Sequence, residues 1–221
     1  YLTLALYAKV MPPELRPAIL NQLEEAIVTK AKGHLATGLL GTFLMLDLLN
    51  QEGRNDLVAL MMKQTTYPGW GFLLNERKVT TWPETWSGWG SQIIQVVGSP
   101  GAWFYEGLAG IRPDPSGPGF KKILIKPAVV GDLTWVKGAH DSPHGRIVSH
   151  WKRDGTRLNM DITIPANTTA TVYVPAKDAA RVTESAQPAA RAEGVTLLRS
   201  EDRAAVYAVR SGTYRFQSTL P

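Results

Sequence analysis

Cysteine is missing from all 221 residues, and with it go disulfides, thiolate metal sites and cysteine nucleophiles. The same absence leaves the compartment open, because cysteine-free proteins occur on both sides of a membrane. Charge is sparse: 19% of residues are charged, and 24 basic against 19 acidic side chains give only +5. The cations are scattered, and even Lys121-Lys122 does not grow into a phosphate-binding stripe, so nucleic acid is not expected as a partner. Long apolar runs are lacking as well. The most apolar stretch, 35–49, is interrupted by Gly38, Gly41 and Asp47 and falls short of the roughly 20 residues of a membrane span. The first eleven residues have no charged start and no small-residue cleavage site. They read as the interior of a helix, which predicts that the polypeptide begins upstream. Ser99 lacks the Gly-x-Ser-x-Gly setting of a hydrolase elbow. His140, His144 and His150 follow no zinc spacing and on strands would point apart. No metal and no cofactor are expected.

What is present is enough apolar material, 44% of the chain, to build real cores, and a length suited to one large domain or two smaller ones. The periodicity supports two. From 1 to 112 it is helical. Pro12-Pro13 suit a first helical turn, where a missing N–H costs nothing, and Leu15, Ala18, Ile19, Leu23, Ala26 and Ile27 form a stripe over 14–32 that Gly33 ends. Residues 34–50 are apolar almost all round, as in a helix packed on both sides. Asn55 is placed to cap a helix through Gln64, and a further apolar helix is predicted over 92–108. From 120 to 221 the period switches to two, with strands expected at 121–126, 133–137, 145–151, 158–164, 169–174, 203–209 and 212–217, and a long loop at 185–192. Short strands at such spacing argue for an antiparallel β-sandwich. The Pro- and Gly-rich stretch 112–119 can continue neither pattern and marks the expected boundary.

One segment is unlike the rest. Four of the seven tryptophans, Trp70, Trp82, Trp86 and Trp89, fall within twenty residues around Glu84, in a stretch rich in Gly and Pro. Sugars offer apolar C–H faces and hydroxyl rims, so indole rings can cover the one while a carboxylate engages the other or a water. The same composition also fits tryptophans that fill a gap between domains, with Glu84 an ordinary surface carboxylate.

The order of blocks adds a resemblance to a known family. Gly33-His-Leu-Ala-Thr-Gly-Leu-Leu-Gly-Thr42, Tyr67-Pro-Gly-Trp-Gly-Phe72, Thr80-Thr-Trp-Pro-Glu-Thr-Trp86 and Gly98-Ser-Pro-Gly-Ala-Trp-Phe-Tyr105 with Leu108-Ala-Gly-Ile111 resemble, in sequence and spacing, the bacterial α-L-rhamnosidases of glycoside hydrolase family 78 type. The resemblance implies the C-terminal part of an (α/α)6 catalytic barrel over 1–112, followed by an antiparallel β-sandwich over 120–221. It implies inverting hydrolysis of terminal α-L-rhamnosyl bonds in glycans or glycosides, with Glu84 as the general base. Inversion needs a second carboxyl group about 6.5–9.5 Å away, with room for water between. The family carries that acid in an upstream motif not found among these residues, so the missing N-terminal part of the same polypeptide and a rhamnose-containing carbohydrate are the expected partners. The isolated chain is expected to be inactive. Trp70 and Trp86 carry over as walls of the sugar pocket, and Trp82, Trp89 and His34 are further candidates for substrate binding. Thr85 stands where the family commonly has Arg, and Ser91-Gln-Ile-Ile-Gln95 lacks the family's sugar-contacting His. These departures keep open a related barrel enzyme for another deoxy sugar or a uronate-containing glycan, and a non-catalytic carbohydrate-binding fragment is the separate alternative. An α/α-barrel lyase would need a Tyr or His base, for which only Tyr67 and Tyr105 are at hand.

Overall fold

The computed structural model describes residues 1–221, except for the side chain of Val96, and divides into two units, Tyr1–Trp103 and Phe104–Pro221. The first is helical. Helix α1 (Leu2–Tyr7) precedes a 3₁₀ turn over Pro13–Leu15, which runs on as α2 (Arg16–Glu25) and a π-type turn over Ala26–Lys30. Pro13 and Pro17 occupy opening turns, where the absent N–H would have had no partner. The predicted stripe is narrower than its sequence suggests: Leu23 and Ile27 are buried, but Leu15 is exposed. Helix α3 (Leu39–Gln51) starts five residues later than the apolar run that predicted it. Its start is set by Gly38, extended at ψ −169°, whose carbonyl accepts both the Thr42 amide and the Thr42 hydroxyl at 2.9 Å.

Helix α4 spans Asn55–Met62, and α3 packs against α1, α4 and the short α6 (Pro100–Trp103). Asn55 does not cap α4. Its Oδ1 instead accepts the buried Trp103 indole N–H at 2.7 Å, a bond that satisfies two polar groups at once. Between α4 and α6, helix α5 (Trp70–Asn75) forms inside the stretch rich in Gly and Pro. The helix expected over 92–108 is instead three short turns, 95–98, 100–103 and 104–108. Pro100 has no N–H to continue the first of them. The unit's core comprises Leu6, Leu23, Ile27, Met45, Leu48, Leu49, Val58, Met61 and Leu73, among others. No helix of the described residues is long and apolar enough to cross a membrane.

The second unit is a mostly antiparallel sheet. Its strands are β1 (Ile111–Pro113), β2 (Lys122–Ile125), β3 (Trp135–Ser142), β4 (Gly145–Asp154), β5 (Arg157–Pro175), β6 (Thr183–Glu184), β7 (Gln187–Pro188), β8 (Val195–Glu201) and β9 (Ala204–Thr219). The stretch 112–119, expected to separate the domains, is here the turn from β1 to β2, held by the Asp114 carboxylate accepting the amide and hydroxyl of Ser116. Two pairs of expected strands are single long ones. In β5 and β9 the ladder breaks between Ile164 and Thr169, where Pro165–Thr168 oppose Ser211 alone, and then resumes.

The break divides the sheet into two layers. Residues 157–164 and 212–219 lie in the order β3-β4-β5-β9-β6-β7, while 169–175 and 204–210 lie in the order β1-β2-β5-β9-β8. Only β2 and β5 run parallel among the described strands. Leu158, Met160, Ile162 and Ile164 from one layer share a core with Ile123, Ile125, Val172, Val174 and Tyr207 from the other, so one folded-over sheet makes the expected sandwich. Each such aliphatic side chain, fully buried, contributes about 1.5–3 kcal/mol.

The segment 104–110 is fastened to β4 by two buried bonds, Ser149 Oγ to the Ala109 carbonyl at 2.6 Å and the Trp151 indole N–H to the Leu108 carbonyl at 2.8 Å. Ser149→Ala leaves a buried carbonyl without its donor, and a loss of about 1–3 kcal/mol is expected. Urea denaturation, followed by the fluorescence of Trp151 and Trp135, checks it.

Candidate active site

The segment after α5 forms a loop that is braced mainly by its own backbone. The Trp82 carbonyl accepts the Ile94 amide at 3.0 Å, the Glu84 amide donates to the Ser91 carbonyl at 2.8 Å, and the Thr85 amide donates to the Trp89 carbonyl at 3.1 Å. The Thr85 hydroxyl accepts the Trp89 amide at 3.0 Å, and the Gly88 amide closes the tip on the Thr85 carbonyl. Arg77 holds the far side by donating its Nε–H to the Ser87 carbonyl at 2.7 Å. A loop satisfied in this way has few backbone groups left for water and keeps its shape without regular structure.

Two tryptophans root it. Trp70, buried at the start of α5, donates its indole N–H to the Val97 carbonyl at 2.7 Å. Trp86 meets Trp70 edge to face, with ring centroids 5.0 Å apart, and donates to the Thr37 carbonyl at 2.9 Å. That geometry suits the aromatic quadrupole. Trp82, half-buried, lies against Gly98. Trp89 is different: it is 70% exposed at the loop tip.

Glu84 is exposed on this loop. Its Oε2 accepts the Ser91 amide at 3.1 Å, while Oε1 makes no hydrogen bond with the described residues. The carboxylate also lies against Gly90, where an added Cβ would fall 2.8 Å from Glu84 Oε2. The arrangement holds one oxygen and leaves the other free to take a proton from a solvent molecule. His34 is engaged by Thr66 and by its own turn: Nε2 is 2.7 Å from the Thr66 hydroxyl, and Nδ1 is 3.2 Å from the carbonyls of Ala31 and Lys32. Thr66 in turn lines a groove of about 620 Å³ with Tyr67, Phe72, Asn75 and Glu76. Among the described residues, no three His, Asp or Glu side chains are grouped to hold a metal.

Sequence reasoning missed Arg77, Gly90 and Ser91. Arg77 and Ser91 act on or through backbone groups, which leave no side-chain signature; the Gly-Trp-Gly at 88–90 was the one available signal.

Comparison with known proteins agrees with a helical unit followed by a β unit. Residues 1–108 match the bacterial alpha-L-rhamnosidase 6 hairpin glycosidase domain, and residues 110–188 match the bacterial alpha-L-rhamnosidase C-terminal domain. An alpha-L-rhamnosidase of Streptomyces avermitilis is 31% identical over 96% of this chain and 21% of its own length. The crystal structure of a Streptomyces avermitilis alpha-L-rhamnosidase complexed with L-rhamnose superposes with a TM-score of 0.87 at 30% identity, over 99% of this chain and 21% of that one. The alpha-L-rhamnosidase of Dictyoglumus thermophilum gives 0.86 at 30% identity, over 98% and 25%. The chain therefore spans about a fifth to a quarter of the proteins it resembles.

Proposed function

Because this chain belongs to the bacterial α-L-rhamnosidase family, we propose that it supplies the water-activating half of an inverting glycosidase that releases terminal α-L-rhamnose. Glu84 is the general base. The observation that carries this is the state of its carboxylate: Oε2 held by the Ser91 amide, Oε1 unbonded, on an exposed loop braced from both sides. A base must present a fixed lone pair to water, and a backbone donor orients a carboxylate without neutralising it. Trp89 supports a sugar at the same place, since an exposed indole covers an apolar sugar face. Trp70 and Trp86 give the loop its footing, and Trp86 is the nearer of the two to solvent.

The general acid belongs to a part of the polypeptide outside these 221 residues. It protonates the departing glycosidic oxygen while Glu84 takes a proton from the water that attacks the opposite face. The same outlying part covers the apolar side chains that the helical unit leaves in solvent, among them Leu40, 71% exposed, and Leu4 and Phe43. Such side chains on helices of a hairpin fold are packing surface for further helices.

The test is stereochemical. With the full-length enzyme and a 4-nitrophenyl α-L-rhamnoside, proton NMR of the first-formed sugar should show the β-anomer before mutarotation. The α-anomer first would mean that Glu84 acts otherwise, and no release of rhamnose would exclude the substrate.

A further inference from the structure

The outer face of one sheet layer is neither apolar nor a simple solvated surface. Register places two rows of side chains across it. The first is Trp135, Lys152, Asn159 and Gln217, and the second is Lys137, His150, Asp161 and Arg215. Their sequence neighbours Trp151, Met160 and Phe216 point into the core, so the rows share the opposite face. Trp135 is 59% exposed at one edge. An indole on a strand normally buries most of its area, and this one packs beside the hydrated Lys152.

Across the face the polar groups are already ordered. Gln217 donates to the Asn159 amide oxygen at 2.6 Å, and Arg215 Nε donates to Asp161 Oδ1 at 2.9 Å. At the far edge the face deepens into a groove of about 590 Å³, lined by Arg157, Asp161, Thr183, Ser185, Arg215 and Gln217 among others. Its wall is the β6–β7 turn, whose Ser185 and Ala186 both take positive φ. From Trp135 to Gln217 is three strand spacings, or about 14 Å.

The chemistry of this strip defines what fits it. Trp135 offers a flat apolar platform, and Lys137, Lys152 and Arg157, with no ion pair to a described residue, ask for negative charge. Asp161 Oδ2 and the Asn159–Gln217 amides ask for hydrogen-bond donors. A ligand with apolar faces, many hydroxyls and carboxylates satisfies all three demands. Phosphodiester backbones have no donor for Asp161, and one indole is too few for a base-stacking track.

We propose that this face of the second unit is a binding surface for acidic oligosaccharides, separate from the Glu84 loop. A sugar ring stacks on Trp135, its neighbours extend toward the groove, and a uronate carboxylate meets Arg157 or Lys152. The proposal does not rest on Glu84 being a base.

Calorimetric titration of the full-length protein with hexagalacturonate, cellohexaose and oligo-dT tests it. Hexagalacturonate binds saturably, and Trp135→Ala and Arg157→Glu, both at exposed positions, each weaken it about tenfold or more. Cellohexaose binds more weakly, added salt weakens the acidic ligand, and Glu84→Gln leaves its affinity unchanged. Absence of saturable binding overturns the proposal. So does binding that survives both Trp135→Ala and Arg157→Glu, or that is lost in Glu84→Gln alone. Tighter binding of oligo-dT than of hexagalacturonate overturns it in favour of nucleic acid.

Discussion

Glu84→Gln in the full-length enzyme should lower kcat by about 10²–10⁴-fold, the usual contribution of a positioned general base, with little change in KM or in melting temperature. The near-isosteric amide keeps an oxygen for the Ser91 N–H, so the loop loses no hydrogen bond. What it loses is basicity, since an amide oxygen cannot take a proton from water at neutral pH. The water still binds and the sugar still binds, but attack on the anomeric carbon proceeds without proton removal. In energetic terms the expected loss is roughly 3–5 kcal/mol of transition-state stabilisation, at about 1.4 kcal/mol for each factor of ten. Steady-state kinetics on an aryl α-L-rhamnoside, with a thermal melt of the same preparation, measures both halves of the expectation. Near-normal turnover would sink the assignment and leave Glu84 as a group that hydrogen-bonds a sugar hydroxyl in a non-catalytic binding surface.

The change from helical to twofold periodicity was legible because it is local: each pattern is carried by neighbours in sequence. What escaped depends on distant partners. Pro165–Thr168 read as a turn between two strands, yet β5 continues through it because β9 pairs on both sides of the break. Strand β8 was missed for a related reason, since it borders β9 alone and buries only Val195, which leaves no alternation to read. The apolar run 34–50 reads as helix by composition, although extended Gly38 and the Thr42 side chain fix the start at Leu39. In the loop, the ordered blocks singled out Glu84, but composition could not rank the tryptophans by exposure. Trp70 and Trp89 have the same residue type and similar Gly-rich neighbours. One is buried beneath Trp86, and the other is mostly in solvent.

Gly90→Ala should cost nearly as much activity as removing the base, without touching a carboxylate. Gly90 has φ +91°, and a Cβ there would fall 2.8 Å from both Cβ and Oε2 of Glu84. No ordinary contact is that short, so either the carboxylate swings away from the Ser91 amide or the loop shifts. A displacement near 1 Å at a reacting group can cost about 10²-fold in rate, and a loss of that order in kcat is expected. Strain alone is the rival explanation, because alanine is disfavoured at positive φ. Gly88 separates the two. It has the same φ of +91°, in the same loop, but its added Cβ would meet only the Arg77 side chain, at 3.2 Å from Nε. Gly88→Ala therefore carries the backbone strain without the collision at Glu84, and it should retain most of the turnover while losing similar stability. If the two alanine variants fall equally in kcat, the loop's rigidity matters and the seat of Glu84 does not. If only Gly90→Ala falls, the position of this one carboxylate oxygen governs the rate.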